Sequence, residues 1–125
     1  MRFMIIVKAN ADSEAGVMPT AALQAEMGAF HEELARAGVL LDGVGLRASA
    51  LGWRVAIGAG GERRVLDGPF TETKELIAGY TLIQVRSRDE ALEWSRRFPN
   101  PTPDGSACEI EVRQLFEAED FAPKA

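Results

Sequence analysis

Apolar residues recur along this chain with two periods, one suited to strands and one to helices, and the switches between them lay out the elements. Phe3 to Val7 is a continuous apolar run, which reads as a buried strand over 1–8. Asn10 to Met18 is polar and reads as a loop. Pro19 and Thr20 then open a helix to about Ala37, with Leu23, Met27, Phe30 and Leu34 as its buried stripe and Gly38 as its stop. Gly28 lies inside that helix, where glycine costs roughly 1 kcal/mol relative to Ala. It is expected to permit close approach to a sheet or a second subunit.

From Leu40 to Leu46 the pattern is apolar but broken by glycines, and an irregular extended segment is expected. Two strands, Trp53 to Gly58 and Arg63 to Asp67, are joined by a turn through Gly58, Gly60 and Gly61. Thr71 to Leu76 fits one helical turn, and Gly79 restarts extended structure. Tyr80, Leu82 and Gln84 alternate there with Thr81, Ile83 and Val85, a strand buried on at least one face. Ser87 and Glu90 have capping-box spacing and start a second helix, whose apolar side is Ala91, Trp94 and Phe98. Pro99, Pro101 and Pro103 end it. Cys108, Ile110 and Val112 alternate with Glu109, Glu111 and Arg113 as a half-buried last strand. The acidic tail beyond Phe116 is expected to pack through Phe121 alone.

That order predicts an α+β fold on a ferredoxin-like plan, with both helices on one face of a largely antiparallel sheet. Two helices cover only one face. Several strands look apolar on both, so the second face calls for a partner, and a two-fold homodimer packed sheet to sheet is the expected solution.

Composition narrows the function. With 125 residues, 46% of them hydrophobic, the chain builds one core and is expected to be a single domain over 1–125. A net charge of -5 argues against nucleic acid, since Arg63-Arg64 and Arg96-Arg97 are both flanked by acidic residues. The lone Cys108 excludes an intramolecular disulfide framework. The first apolar run is too short for a signal peptide or membrane span, so a soluble cytoplasmic protein is expected, with no membrane partner. One Cys and one His do not make a closed zinc site, and a carboxylate-only magnesium site would be weakly specified. Gly58-Ala59-Gly60-Gly61 lacks the spacing of a nucleotide-binding loop. No metal and no cofactor are expected.

The candidate chemistry gathers at Asp67-Gly68-Pro69-Phe70-Thr71-Glu72-Thr73-Lys74-Glu75, where three carboxylates surround a fixed turn. Asp67 fits a general base or ligand-binding carboxylate, and fits somewhat better a cap or Asx-turn on backbone N–H groups. Glu72 and Glu75 share a face three residues apart. With Asp67 they form either an acid/base site with split pKa values or a solvated cluster. His31 is the only histidine, hence the only side chain suited by its ordinary pKa to proton transfer near neutrality. Helical spacing puts it on the shoulder of the buried stripe, beside Met27 and Leu34. Phe70, Tyr80, Trp53 and Trp94 are expected in the core or lining a pocket. No serine has a nucleophile-elbow context, and Cys108 has no basic neighbour to activate it.

The run from Asp67 to Glu75, with Ile77-Ala78-Gly79-Tyr80, Ile83-Gln84-Val85 and Glu109-Ile110-Glu111-Val112-Arg113, resembles the DGPF subgroup of the YciI-like (YCII-related) proteins. Phe3-Met4-Ile5-Ile6 and Glu32 to Leu40 fit it too, so the resemblance covers nearly the whole chain. It implies a dimeric α+β barrel. It also implies a possible link to transcription, because some members are encoded beside or fused to alternative sigma factors. The wider family includes a dehydrochlorinase whose catalytic pair is regarded as a His at the first helix and an Asp before Pro-Phe ahead of the last strand. Here that region reads Phe98-Pro99-Asn100-Pro101, and no His lies near the start of the first helix, so neither residue carries over. Two functions stand open. One is a small-molecule-binding or regulatory homodimer, with Asp67, Phe70, Glu75 and Tyr80 at the ligand. The other is a small proton-transfer or lyase-type enzyme using Asp67, His31 and Glu72 in a dimer cleft.

Overall fold

The opening apolar run becomes the strand on which the sheet is built. In the computed structural model, which describes residues 1–102 and 104–123 and for Lys74 the backbone alone, β1 (Arg2–Lys8) has a neighbour on each side. It pairs antiparallel with β5 (Ile77–Gln84) and with β6 (Ile110–Gln114), and β2 (Leu40–Gly45) lies outside β5. The order β2-β5-β1-β6, with α2 (Ala21–Arg36) between β1 and β2 and α3 (Arg88–Arg96) between β5 and β6, is the ferredoxin-like plan. Pro103, expected among the helix-ending prolines, lies outside the described residues.

Strand alternation decides which side chains meet the helices. Phe3 faces Ile83 across the ladder, and Ile5 faces Thr81 and Val112 on its two sides. These core-facing positions close against Phe30 and Leu34 of α2 and Ala91 of α3. Ile5, Leu34 and Ile83 are fully buried, and each such side chain contributes about 1.5–3 kcal/mol by leaving water. The alternate row, Met4, Ile6, Tyr80 and Leu82, is half-buried on the other face.

The helix starts follow from local chemistry. Thr20 Oγ1 accepts from the Leu23 N–H at 3.1 Å, and Gly38, at φ 75°, ends α2 in the left-handed region that favours glycine. Ser87 Oγ accepts from the Glu90 N–H at 3.1 Å, while the Glu90 carboxylate reaches back to the Arg86 N–H at 3.3 Å. The return bond of the expected box has moved one residue.

Several expectations are corrected. Ala11–Glu14 is a short helix, α1, within the segment read as loop. Its cap is reciprocal, Asn10 Oδ1 accepting from the Ser13 N–H at 2.8 Å and Ser13 Oγ from the Asn10 N–H at 2.9 Å, with Ser rather than Glu at the third position. Leu40–Gly45 is a ladder strand, because a bulge between Leu40 and Asp42 breaks the period without breaking the pairing. Cys108 precedes the last strand and is exposed, its thiol 3.4 Å from Asn100 Oδ1. Gly28 does not pack closely on the sheet, since a Cβ there would meet nothing within 4 Å. The tail is held by Arg2 and Glu117 at 3.1 Å, while Phe121 stacks on Phe116 with its ring largely in solvent.

The remaining strands, β3 (Trp53–Ile57) and β4 (Arg63–Asp67), form a separate hairpin sheet. Trp53 stands on it 66% exposed, outside the core where it was expected. No helix among the described residues is long and apolar enough to cross a membrane.

Candidate functional site

Between α2 and the sheet, at the ends where β1 and β2 finish and β5 begins, the packing leaves a cavity of about 760 Å³. Its wall is mainly apolar, including Leu23 and Met27 of α2, Val44 of β2 and Leu51. Gly28 lines it as well, which accounts for a helix-interior glycine with open space before it. A second depression of about 470 Å³, bordered by Gly38, Val39, Arg86 and Glu90 at the other end of β5, holds none of the expected site residues.

His31 enters the cavity wall from α2 and rests on the sheet. Its Nε2 lies 2.7 Å from Thr81 Oγ1, and Thr81 is 2% exposed, so this imidazole satisfies a hydroxyl the fold has taken from water. Gly43, the cross-strand partner of Thr81, makes room for the ring. A Cβ on Gly43 would come within 2.9 Å of Nε2. Burial lowers the His31 pKa below its ordinary value, which favours the neutral ring. A neutral imidazole with one nitrogen held by Thr81 is able to accept a proton or orient a polar group of a ligand.

The Asp67–Glu75 run is placed differently. Gly68 donates its N–H to the Gly52 carbonyl at 3.0 Å, and Phe70 donates to Ser49 Oγ at 3.0 Å. Ser49 in turn gives its hydroxyl to Glu14, whose carboxylate also accepts the Ser49 N–H at 2.9 Å. These two bonds hold the Glu14 pKa below the usual carboxylate value. The Arg54 guanidinium lies 3.8 Å over the Phe70 ring, which is half-buried beneath it. The turn is thus clasped by α1 and the 49–52 segment.

Of the expected site residues, His31 and Tyr80 both border the cavity, although Tyr80 belongs to the strand row facing away from α2 and its hydroxyl donates to Asp42 at 3.3 Å. Asp67, Phe70, Glu72 and Glu75 do not line it. Asp67 is exposed at the end of β4 opposite Trp53, with no side-chain hydrogen bond among the described residues. Glu72 and Glu75 are exposed at either end of a single 3₁₀ turn, Thr73–Glu75. Asn100 staples its loop, accepting from the Thr102 N–H at 2.9 Å and donating to the Ser106 carbonyl at 3.1 Å. Among the described residues, no three His, Cys, Asp or Glu side chains gather as a metal-ligand set.

Thr81 and Gly43 escaped sequence reasoning. The signal for Thr81 was present, a hydroxyl at a core-facing position of an alternating strand, which requires a buried partner. Nothing local marked Gly43, whose role depends on a ring brought over from α2.

Comparison with known proteins bears on the family. The solved structure of 5-chloro-2-hydroxyhydroquinone dehydrochlorinase from Burkholderia phenoliruptrix, in complex with 2,5-dihydroxybenzoquinone, aligns over 96% of this chain and 98% of that one. The TM-score is 0.48 and the identity 16%. An uncharacterised protein of Rhizobium meliloti (strain 1021) is 42% identical over 57 residues, a match spanning 46% of this chain and 46%, under half, of that relative. The model of the YCII-related domain matches residues 1–116, so the chain belongs to the YCII-related family.

Proposed function

We propose that this protein binds a small organic molecule in the cavity beneath α2, with His31 as the polar group that meets it. The observation that carries the reading is the His31–Thr81 pair set in a mainly apolar wall. A volume of about 760 Å³ is in the range of small-molecule sites, which combine apolar walls with a few placed polar groups. The test is a fragment screen followed by amide chemical-shift mapping. Shifts are expected at Leu23, His31, Gly79 and Thr81, and a screen whose responses all cluster elsewhere sinks the proposal.

A proton-transfer reading stands second, favoured by the neutral imidazole that burial produces at His31. Asp67 and Glu72 are outside this wall and would join that chemistry only across the cleft of a dimer. Turnover of any substrate that survives His31→Gln undiminished counts against it.

The homodimer is part of the proposal. Met4, Ile6, Tyr80 and Leu82 form a row on the face away from the helices, and a two-fold copy would bury it. A monomer mass by sedimentation at micromolar concentration removes that part.

A further inference from the structure

We infer that the ligand of this cavity is an organic anion, an apolar body carrying a carboxylate or similar acid group, received by Arg47. The inference rests on the cavity reading above. Acidic residues outnumber basic ones in the chain by 19 to 14, yet no Asp or Glu is among the described residues lining the cavity. Its basic residues are Lys8, Arg47 and the neutral His31. Lys8 is already committed, its ammonium lying 3.1 Å from Glu111.

Arg47 differs. It follows β2 directly, just after Leu46, whose N–H is fixed to the Ala78 carbonyl at 2.7 Å, and its side chain makes no ion pair or hydrogen bond among the described residues. Nearby carboxylates are turned to other work. Glu14 takes both the hydroxyl and the N–H of Ser49, and Asp42 accepts from the Tyr80 hydroxyl and, at 2.8 Å, the Gly43 N–H. The wall is therefore mainly apolar, includes Arg47 with no ion pair or hydrogen bond to its side chain among the described residues, and has no carboxylate among those residues. A guanidinium recognises a carboxylate through two parallel hydrogen bonds, and the apolar wall covers the remainder of such a ligand. A cationic ligand would meet Arg47 without any compensating charge.

Two probes of matched aromatic bulk test this, the anionic 1-anilinonaphthalene-8-sulfonate and the uncharged N-phenyl-1-naphthylamine, titrated by fluorescence into the full chain. The sulfonate is expected to bind at least about fivefold more tightly, and Arg47→Gln to weaken it about tenfold, the value of one partly exposed charge-assisted contact. The uncharged probe should change less than about twofold in the same variant. Gly28→Leu, which places a branched side chain at the cavity wall, should weaken both titrations. Equal binding of the two probes, with no effect of Arg47→Gln, overturns the anion inference and leaves the cavity reading in place. Titrations unchanged by Gly28→Leu, or no binding of either probe, overturn both.

Discussion

Gly68 offers the sharpest test of what the Asp67–Glu75 turn does. Its φ is not in the left-handed region, so alanine pays no backbone penalty there and any destabilisation by Gly68→Ala is steric. A Cβ would fall far inside contact distance of the Ser49 carbonyl oxygen and 2.7 Å from its carbon, both backbone atoms that cannot swing aside. Forcing a methyl into such a site costs about 1–3 kcal/mol. Shifting the turn to relieve it loses the Gly68–Gly52 and Phe70–Ser49 hydrogen bonds, at about 0.5–1.5 kcal/mol each. Either route costs about 1–3 kcal/mol, with about 3 kcal/mol as the upper end. With 125 residues at about 2.1 cal/mol/K each, 3 kcal/mol lowers Tm by about 11 °C. Thermal and urea unfolding followed by circular dichroism read this directly, with Asp67→Ala as the control. Asp67 is exposed and unpaired among the described residues, so its removal should move stability by less than about 0.5 kcal/mol. If Gly68→Ala costs under about 1 kcal/mol, or Asp67→Ala costs as much as Gly68→Ala, the turn is not clasped as described.

Three further outcomes follow from the same geometry. Because burial depresses the His31 pKa, the unfolded chain binds a proton first, so stability present above pH 6.5 falls as pH drops through 6.5 towards the folded value. The depressed carboxylates Glu14, Asp104, Glu111 and Glu117 lose their contribution only lower, below about pH 4.5. Urea midpoints between pH 7.5 and 5.5 should therefore decline in the native chain and flatten in His31→Gln, and parallel declines would contradict the burial argument. Gly28→Ala should raise stability by about 0.5–1 kcal/mol in the same assay, since the site is helical and open. A loss would mean Gly28 packs against something. Leu34→Ala removes a fully buried side chain and should cost about 2–5 kcal/mol by denaturant unfolding, with a smaller loss refuting its place in the core.

The elements with undisturbed periodicity were legible. β1, α2, the hairpin, β5 and α3 follow from runs, stripes and caps whose information is local, and their order led to the ferredoxin-like plan. β2 was obscured by its bulge at Leu41, which puts consecutive apolar residues out of phase. α1 was obscured because serine replaces the acid of the usual reciprocal cap. The site was less legible. His31 was singled out by its chemistry, but its place on the helix shoulder suited a pocket rim and a half-exposed helix residue equally. The conspicuous run at Asp67 drew attention to carboxylates that lie outside the cavity wall, since a sequence shows how residues cluster along the chain but not what folds over them.

The clasp through Ser49 bears on how that run should be regarded. Asp67 to Glu75 is contiguous, nine residues that stand out on the page, yet its shape is borrowed. Phe70 is anchored 21 positions back to Ser49, and Ser49 a further 35 back to Glu14. The signature is therefore not a portable module. Excised as a peptide, or transplanted into another scaffold without Glu14, Ser49 and Gly52, it would lose the anchors that set its conformation. A short run can stand out by its letters while the information that shapes it is spread across half the chain.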